Sequence, residues 1–184
     1  KKRLFLLLRR GYLASRFGHG RDDCGVITRS LGRLLSLHPD LAARVDLEAF
    51  HLTPGGRFLE IGCGDGGHLA AMRALGWEVE GIDVDASAVE ATQSRGLPAR
   101  CGSLEDMDYA PGSFDAIGMS HVIEHVDDPV ALLTACHNLL RPGGRLVLVT
   151  PNIASFGHAR YGRHWLALDP PRHLRIYSCA SLSR

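Results

Sequence analysis

No CxxC pair occurs anywhere in the chain: its five cysteines, Cys24, Cys63, Cys101, Cys136 and Cys179, are odd in number and widely scattered. That argues against a disulfide framework or a cysteine-built zinc site, and for a reducing compartment. Long hydrophobic runs are also missing. The strongest near the start, Leu4 to Leu8, covers five residues, whereas a membrane-crossing helix needs about 20. No small-residue cleavage site follows it, so secretion is not expected and the cytoplasm is the expected location. Internal repeats and low-complexity tracts are absent too. With 45% hydrophobic and 22% charged residues among 184, the composition excludes a disordered chain and suits one globular domain with a short appendage.

Charge of one sign is scarce in each third of the sequence. Residues 1–33 hold nine Lys/Arg against two acids, residues 34–150 hold seven against seventeen, and residues 151–184 hold five against one. An acidic middle is thus flanked by basic ends. Either this is solvated surface, or the middle suits a cationic cofactor while the ends meet an anionic substrate or surface. The acidic middle, with no interleaving of aromatic and basic residues, argues against a nucleic-acid partner.

From about residue 55 onward, short apolar runs alternate with helical patterns, as in βαβ units on a parallel sheet. Strands are expected at 57–61, 77–83, 99–101, 114–120 and 145–150. Gly67 to Leu75 should form a helix that Gly76 stops, Asp85 should cap a helix over 86–95, and Asp128 with Pro129 should open one running to about Leu140. Arg141-Pro142-Gly143-Gly144 reads as a turn into the last strand. The expected fold is α/β, a doubly wound, mostly parallel sheet over residues 51–184, preceded by a helical, basic extension over 1–50. Ligands in such sheets bind at the carboxyl ends of strands, where strand order reverses.

Every notable motif falls at such an end. Gly62, Gly64 and Gly67, after the first strand, satisfy GxGxxG, whose glycines permit a tight turn and close backbone approach to a ligand. Glu60, two residues before the first glycine, would repel the pyrophosphate that a dinucleotide places there. It favours a phosphate-free ligand bearing an ammonium, as S-adenosylmethionine does. Asp83, ending the second strand, can accept both hydroxyls of a ribose, and Val84 offers an apolar face to an adenine.

The stretches LEIGCGDGGHLAAMRALGWEVEGIDVD, GSLEDMDYAPGSFDAIGMSHVIEHVDDP and LLRPGGRLVLVTPN resemble, in order, the cofactor-binding motifs of class I S-adenosylmethionine-dependent methyltransferases. The segment FGHARYGRHWLALDPPRHLRIYSCASL is similar to the tail of a small-molecule subgroup related to quinone-biosynthesis enzymes. The resemblance implies a Rossmann-like fold and S-adenosylmethionine as cofactor. Glu60 and the Gly62, Cys63 and Gly64 backbone would hold the methionine part, with Asp83 on the ribose and Val84 on the adenine. Ser103, Leu104 and Glu105 would border the adenine edge, and Ser120 would close the site. Members often carry aspartate where Ser103 stands, which weakens that acceptor, and Glu105 would compensate. The family sheet has seven strands against the five read here, so C-terminal strands are expected to be missing.

Ser120-His121-Val122-Ile123-Glu124-His125 follows the fourth strand, where acceptor should meet cofactor. His121 and His125 are candidates for a general base or for orienting the acceptor, since a hydroxyl nucleophile must lose a proton. Local hydrogen bonding is the alternative for each. The segment also matches H-x-x-E-H, but that zinc motif requires a continuous helix and a third ligand, so no metal is expected. In the basic tail, Trp165, Arg172 and His173 are candidate acceptor contacts, and arginine there suggests an acidic small molecule. Residues 1–10, five apolar positions bracketed by five cations, could contact an anionic membrane surface or pack on the core. The expected activity is methyl transfer to a small molecule, with oxygen the favoured nucleophile. A nicotinamide-dependent oxidoreductase and a non-catalytic cofactor-binding domain are the alternatives.

Overall fold

The computed structural model describes residues 2–50, 52–53 and 55–183. Among them a five-stranded parallel sheet has the order β3-β2-β1-β4-β5. Its strands are β1 (Arg57–Ile61), β2 (Glu78–Asp83), β3 (Ala99–Cys101), β4 (Phe114–Ser120) and β5 (Leu140–Val149). The first three helices, α1 (Lys2–Arg16), α2 (Val26–Gly32) and α3 (Pro39–Glu48), precede the sheet. α4 (Gly67–Ala74), α5 (Ala86–Ser94) and α6 (Pro129–Leu139) connect its strands, and α7 (Phe156–Tyr161) and α8 (Cys179–Leu182) follow it. Strand order reverses between β1 and β4, placing the switch point beside Ile61 and Ser120.

Period-2 alternation splits the core into two layers, as it must in a sheet buried on both faces. Phe58 packs with Leu69 and Met72 of α4 and with Val147 and Val149. Leu59 and Ile61 face the other way, onto Ile117, Met119 and Cys136 of α6. The helix starts follow from their caps: Asp85 accepts from the Ser87 N–H at 2.8 Å, and Asp128 accepts from the Ala131 N–H at 3.0 Å.

One boundary differs from expectation. Residues 141–144 are a bulge within β5, since Leu140 already pairs with Phe114 and Arg145 then pairs with Ala116. Asp115 holds this kink by pairing with Arg141 while accepting the Arg57 N–H at 2.6 Å. The extension packs through Tyr12, Leu13, Leu35, Val45 and Ala49 against Leu75 at the end of α4. Buried His19 fastens it, its ring nitrogens 2.8 Å from the Leu52 carbonyl and 3.1 Å from that of Leu75. Residues 11–14 of α1 are buried whereas residues 3–7 are all exposed, so the core packing of this helix lies beyond the 1–10 segment.

Beyond β5 the chain folds back over the single helical turn Ile123–His125. Leu174 donates its N–H to the Glu124 carbonyl at 2.8 Å, and Arg175 donates to that of Val126 at 2.7 Å. This return brings the tail beside the strand ends.

Candidate active site

A cavity of about 640 Å³ opens at the carboxyl ends of β1, β2 and β4, within the size range of small-molecule sites. Its floor begins at the glycine loop. Gly62 (φ +73°) and Gly64 (φ +54°) adopt left-handed conformations that side chains rarely take. A Cβ on Gly62 would meet Val122 Cγ2 at 2.4 Å, while one on Gly64 would meet nothing within 4 Å. The loop is tied to β2, because the Gly62 and Cys63 N–H groups both donate to the Ile82 carbonyl, at 2.8 and 3.0 Å.

Asp83 anchors the next wall. Its Oδ2 accepts the Gly64 N–H at 2.8 Å and its Oδ1 accepts the Asp85 N–H at 3.0 Å. Each oxygen keeps a further lone pair, and the residue lines the cavity. Val84 beside it is 77% exposed and lines the same wall, an apolar surface placed for a flat ring. Leu104, buried, and Glu105, exposed, continue that wall, and Ser120 lines the β4 side.

Several expected contacts lie elsewhere. Ser103 reaches the wall, but its hydroxyl donates to Asp106 at 2.7 Å and accepts the Asp106 N–H in a capping box. Helix capping takes the hydroxyl's proton and one lone pair, which leaves a single lone pair for the adenine amine. Cys63 points inward, its Sγ 3.9 Å from Thr92 Oγ1, and burial pushes its thiol pKa up, so only its backbone belongs to the loop. Glu60 is absent from the cavity lining. It is buried on the α4 side, where its Oε1 lies 2.8 Å from His68 Nδ1, and the Phe50 ring covers His68 at 4.1 Å between centroids. Burial raises the Glu60 pKa, with the His68 hydrogen bond opposing the rise. Its Oε2 has no hydrogen-bond partner.

Both candidate histidines line the cavity. His121 takes a left-handed conformation (φ +56°) that turns it out of β4. Its Nδ1 lies 3.1 Å from Glu124 Oε1, and Glu124, wholly buried, also accepts from Thr150 Oγ1 at 2.9 Å. A carboxylate at Nδ1 fixes the tautomer and directs the Nε2 lone pair outward. His125 Nδ1 lies 2.8 Å from the Arg172 carbonyl, and its ring meets His173 edge-on at 4.8 Å. Glu124 is therefore a site residue whose orienting role the sequence did not disclose. The only hint was an acid three positions after a histidine.

The zinc-motif geometry is not present, because His121 lies outside the short turn and points at Glu124. Glu124, His125 and His173 do bring potential ligand atoms within 4.8 Å of one another, but the Glu124 carboxylate already serves His121 and Thr150. In the tail, the Arg172 guanidinium pairs with Asp169, so Arg172 reaches the site through its carbonyl alone. Trp165 packs against His158, ring centroids 5.6 Å apart, outside the cavity lining. His173 Nδ1 donates to the Ala167 carbonyl at 2.8 Å, outside the cavity lining, and its ring meets that of His125. The acids on the wall are Asp83, Glu105, Asp127 and Asp128, an environment that disfavours the expected acidic acceptor.

The site's own features fit an adenosyl sulfonium. They are a carboxylate with spare lone pairs, an exposed apolar neighbour, a glycine with open space at its Cβ position, and acidic walls. Comparison with known proteins agrees. Residues 34–184 match the family model described as "Methyltransferase domain". The chain is 38% identical over 146 residues to a ubiquinone biosynthesis O-methyltransferase of Xanthomonas campestris pv. campestris, covering 74% of this chain and 59% of that one. The chain thus spans under two thirds of such relatives. Two crystal structures share the fold. One is a SAM-dependent methyltransferase from Thermotoga maritima (TM-score 0.61, 22% identity, 99% of this chain and 72% of that one). The other is a SAM-dependent methyltransferase from Archaeoglobus fulgidus (TM-score 0.58, 22% identity, 69% and 57%).

Proposed function

Because the chain belongs to the class I S-adenosylmethionine-dependent methyltransferases, we propose that it methylates a hydroxyl oxygen of a small molecule held against His121 and His125. The observation that carries this reading is the His121–Glu124–Thr150 chain, a histidine oriented by a buried carboxylate at the wall of the cofactor cavity. When bound, S-adenosylmethionine supplies an electrophilic methyl group on a positively charged sulfur. Asp83 takes the ribose hydroxyls, Val84 covers the adenine, and Glu105 borders its edge. His121 Nε2 accepts the proton of the attacking hydroxyl while its Nδ1–H stays on Glu124, which stabilises the imidazolium as it forms. His125, held by the Arg172 carbonyl, orients the acceptor from the opposite side.

Oxygen as the nucleophile is supported by a histidine placed as a base and by the O-methyltransferase named among the Xanthomonas relatives. Among the described residues no helix is long and apolar enough to cross a membrane, and the five cysteines are free thiols, which supports a cytoplasmic setting. A nicotinamide dinucleotide would bring its phosphates against Asp83, Glu105, Asp127 and Asp128, so that alternative is disfavoured. The test pairs calorimetry with kinetics on the full-length protein. S-adenosylhomocysteine should bind and NAD should not. His121→Ala should lower kcat by about 100-fold or more, at unchanged S-adenosylhomocysteine affinity. Equal losses in kcat and in cofactor affinity would assign His121 a structural role.

A further inference from the structure

α1 and α2 form a hairpin that presents two chemistries at once. They cross where Gly11 meets Thr28 and Gly32: a Cβ on Gly11 would sit 1.9 Å from the Thr28 carbonyl oxygen, and one on Gly32 would sit 2.1 Å from Gly11. On one side of the crossing, Tyr12, Leu13 and Ala14 are buried in the extension's core, and Tyr12 Oη donates to Asp46 at 2.9 Å. On the other side the helix runs free, with Leu4, Phe5, Leu6 and Leu7 all exposed. α2 adds a second exposed apolar stripe. Ile27 and Leu31 recur at i and i+4, Leu34 is exposed in the 3-10 segment that continues α2, and Ile27 is 78% exposed. Burying such groups in water-free surroundings is favourable, and they keep between 36% (Phe5) and 78% (Ile27) of their surface exposed.

The same hairpin is basic. Residues 2–33 hold eight Lys/Arg against Asp22 and Asp23, and α1 itself contains no acid. Arg10 and Arg29 donate to backbone carbonyls, which satisfies their N–H groups without cancelling their charge. A second copy of this chain would bring equal positive charge against that surface, so self-association is penalised. An anionic lipid surface complements both features, because apolar side chains enter the acyl boundary while arginine stems lie along it with their heads among phosphates. We propose that the α1–α2 hairpin is a docking surface for an anionic phospholipid bilayer, engaging Leu4–Leu7 and the Ile27–Leu31–Leu34 stripe. The proposal is independent of the methyl-transfer reading.

Co-sedimentation with vesicles tests it. The protein should partition onto phosphatidylcholine vesicles containing about one third phosphatidylglycerol and much less onto pure phosphatidylcholine. Raising salt to about 0.5 M should weaken partitioning roughly tenfold. Phe5→Ser with Leu6→Ser should reduce it at least about tenfold, as should Ile27→Ser on the other helix. Arg3→Gln should reduce it about fivefold. S-adenosylhomocysteine affinity in every variant should match the parent, which reports an intact fold. Absence of binding to the anionic vesicles, or binding that ignores both salt and Arg3→Gln, overturns the proposal. So does a dimer in sedimentation velocity that Phe5→Ser disperses without any vesicle binding. Partitioning that persists in a protein unable to bind S-adenosylhomocysteine would sink the functional reading and leave this one standing.

Discussion

Replacing Asp83 with alanine separates two jobs that one carboxylate performs. In the folded chain it accepts the Gly64 and Asp85 N–H groups, so it holds the glycine loop against the start of α5. Hydrogen bonds to a charged acceptor contribute roughly 1.5–3 kcal/mol each when protected. Asp83 is only partly buried and water can replace it, so about 1 kcal/mol per bond is appropriate, or about 2 kcal/mol in all. For a chain of this size that lowers Tm by about 4–8 °C. The second job is ligand recognition. Losing a charged acceptor for two ribose hydroxyls should cost a further ~3 kcal/mol, about 100-fold in affinity for S-adenosylhomocysteine. Thermal unfolding reads the first effect and titration calorimetry reads the second. Asp83→Asn, which keeps one carbonyl acceptor, should recover part of the Tm loss while remaining weak in affinity. If Asp83→Ala binds S-adenosylhomocysteine within threefold of the parent, the assignment of this wall to the ribose is wrong, whatever happens to Tm.

Gly62→Ala should abolish detectable cofactor binding and lower Tm, because it forces a left-handed conformation (worth about 1–2 kcal/mol) and drives a methyl group into Val122; calorimetry and thermal unfolding check it. Burial raises the Glu60 pKa above its ordinary 4.5, so the native state increasingly pays for an ionised buried carboxylate as pH rises through that raised value. The Tm of Glu60→Gln, which keeps an acceptor for His68, should therefore gain on the parent as pH rises above 4.5, and a constant difference would refute this. Iodoacetamide under native conditions should label exposed Cys101 and Cys179 and spare Cys136, whose thiol is pushed up to about 12 by burial. Peptide mass spectrometry showing early Cys136 modification would contradict the packing under α6.

Backbone punctuation carried most of what could be read in advance. Asp85, Asp128 and Pro129 start their helices where local capping chemistry requires, and the glycine loop takes its turn because its own residues permit little else. The five strands follow from apolar alternation in the same way. What escaped are decisions made by partners distant in sequence. Glu60 turns from the cavity because His68, one β-to-α step later, supplies its hydrogen bond. Arg172 is occupied by Asp169 and contributes a carbonyl that no side-chain pattern advertises. Glu124 becomes an orienting group only once Thr150 and a left-handed His121 converge on it. Ser103 shows a local case, in which a capping box with Asp106, three positions on, takes the hydroxyl's proton and one of its lone pairs. Residues 141–144 look like a turn because Pro and Gly mark them, but Asp115 across the sheet turns them into a kink within one continuous strand.

Glu124 also ties together stretches far apart in the chain: its carboxylate faces His121 and Thr150, and its carbonyl receives Leu174 from the tail. On the function proposed above, sequence drift in the tail would alter how the His121 imidazole is aimed, and with it the acceptor, while β1, β2 and their glycine turn stay untouched. Donor recognition and acceptor choice would then sit on separate segments, and a graft of residues 156–183 from a relative should exchange the second without rewriting the first.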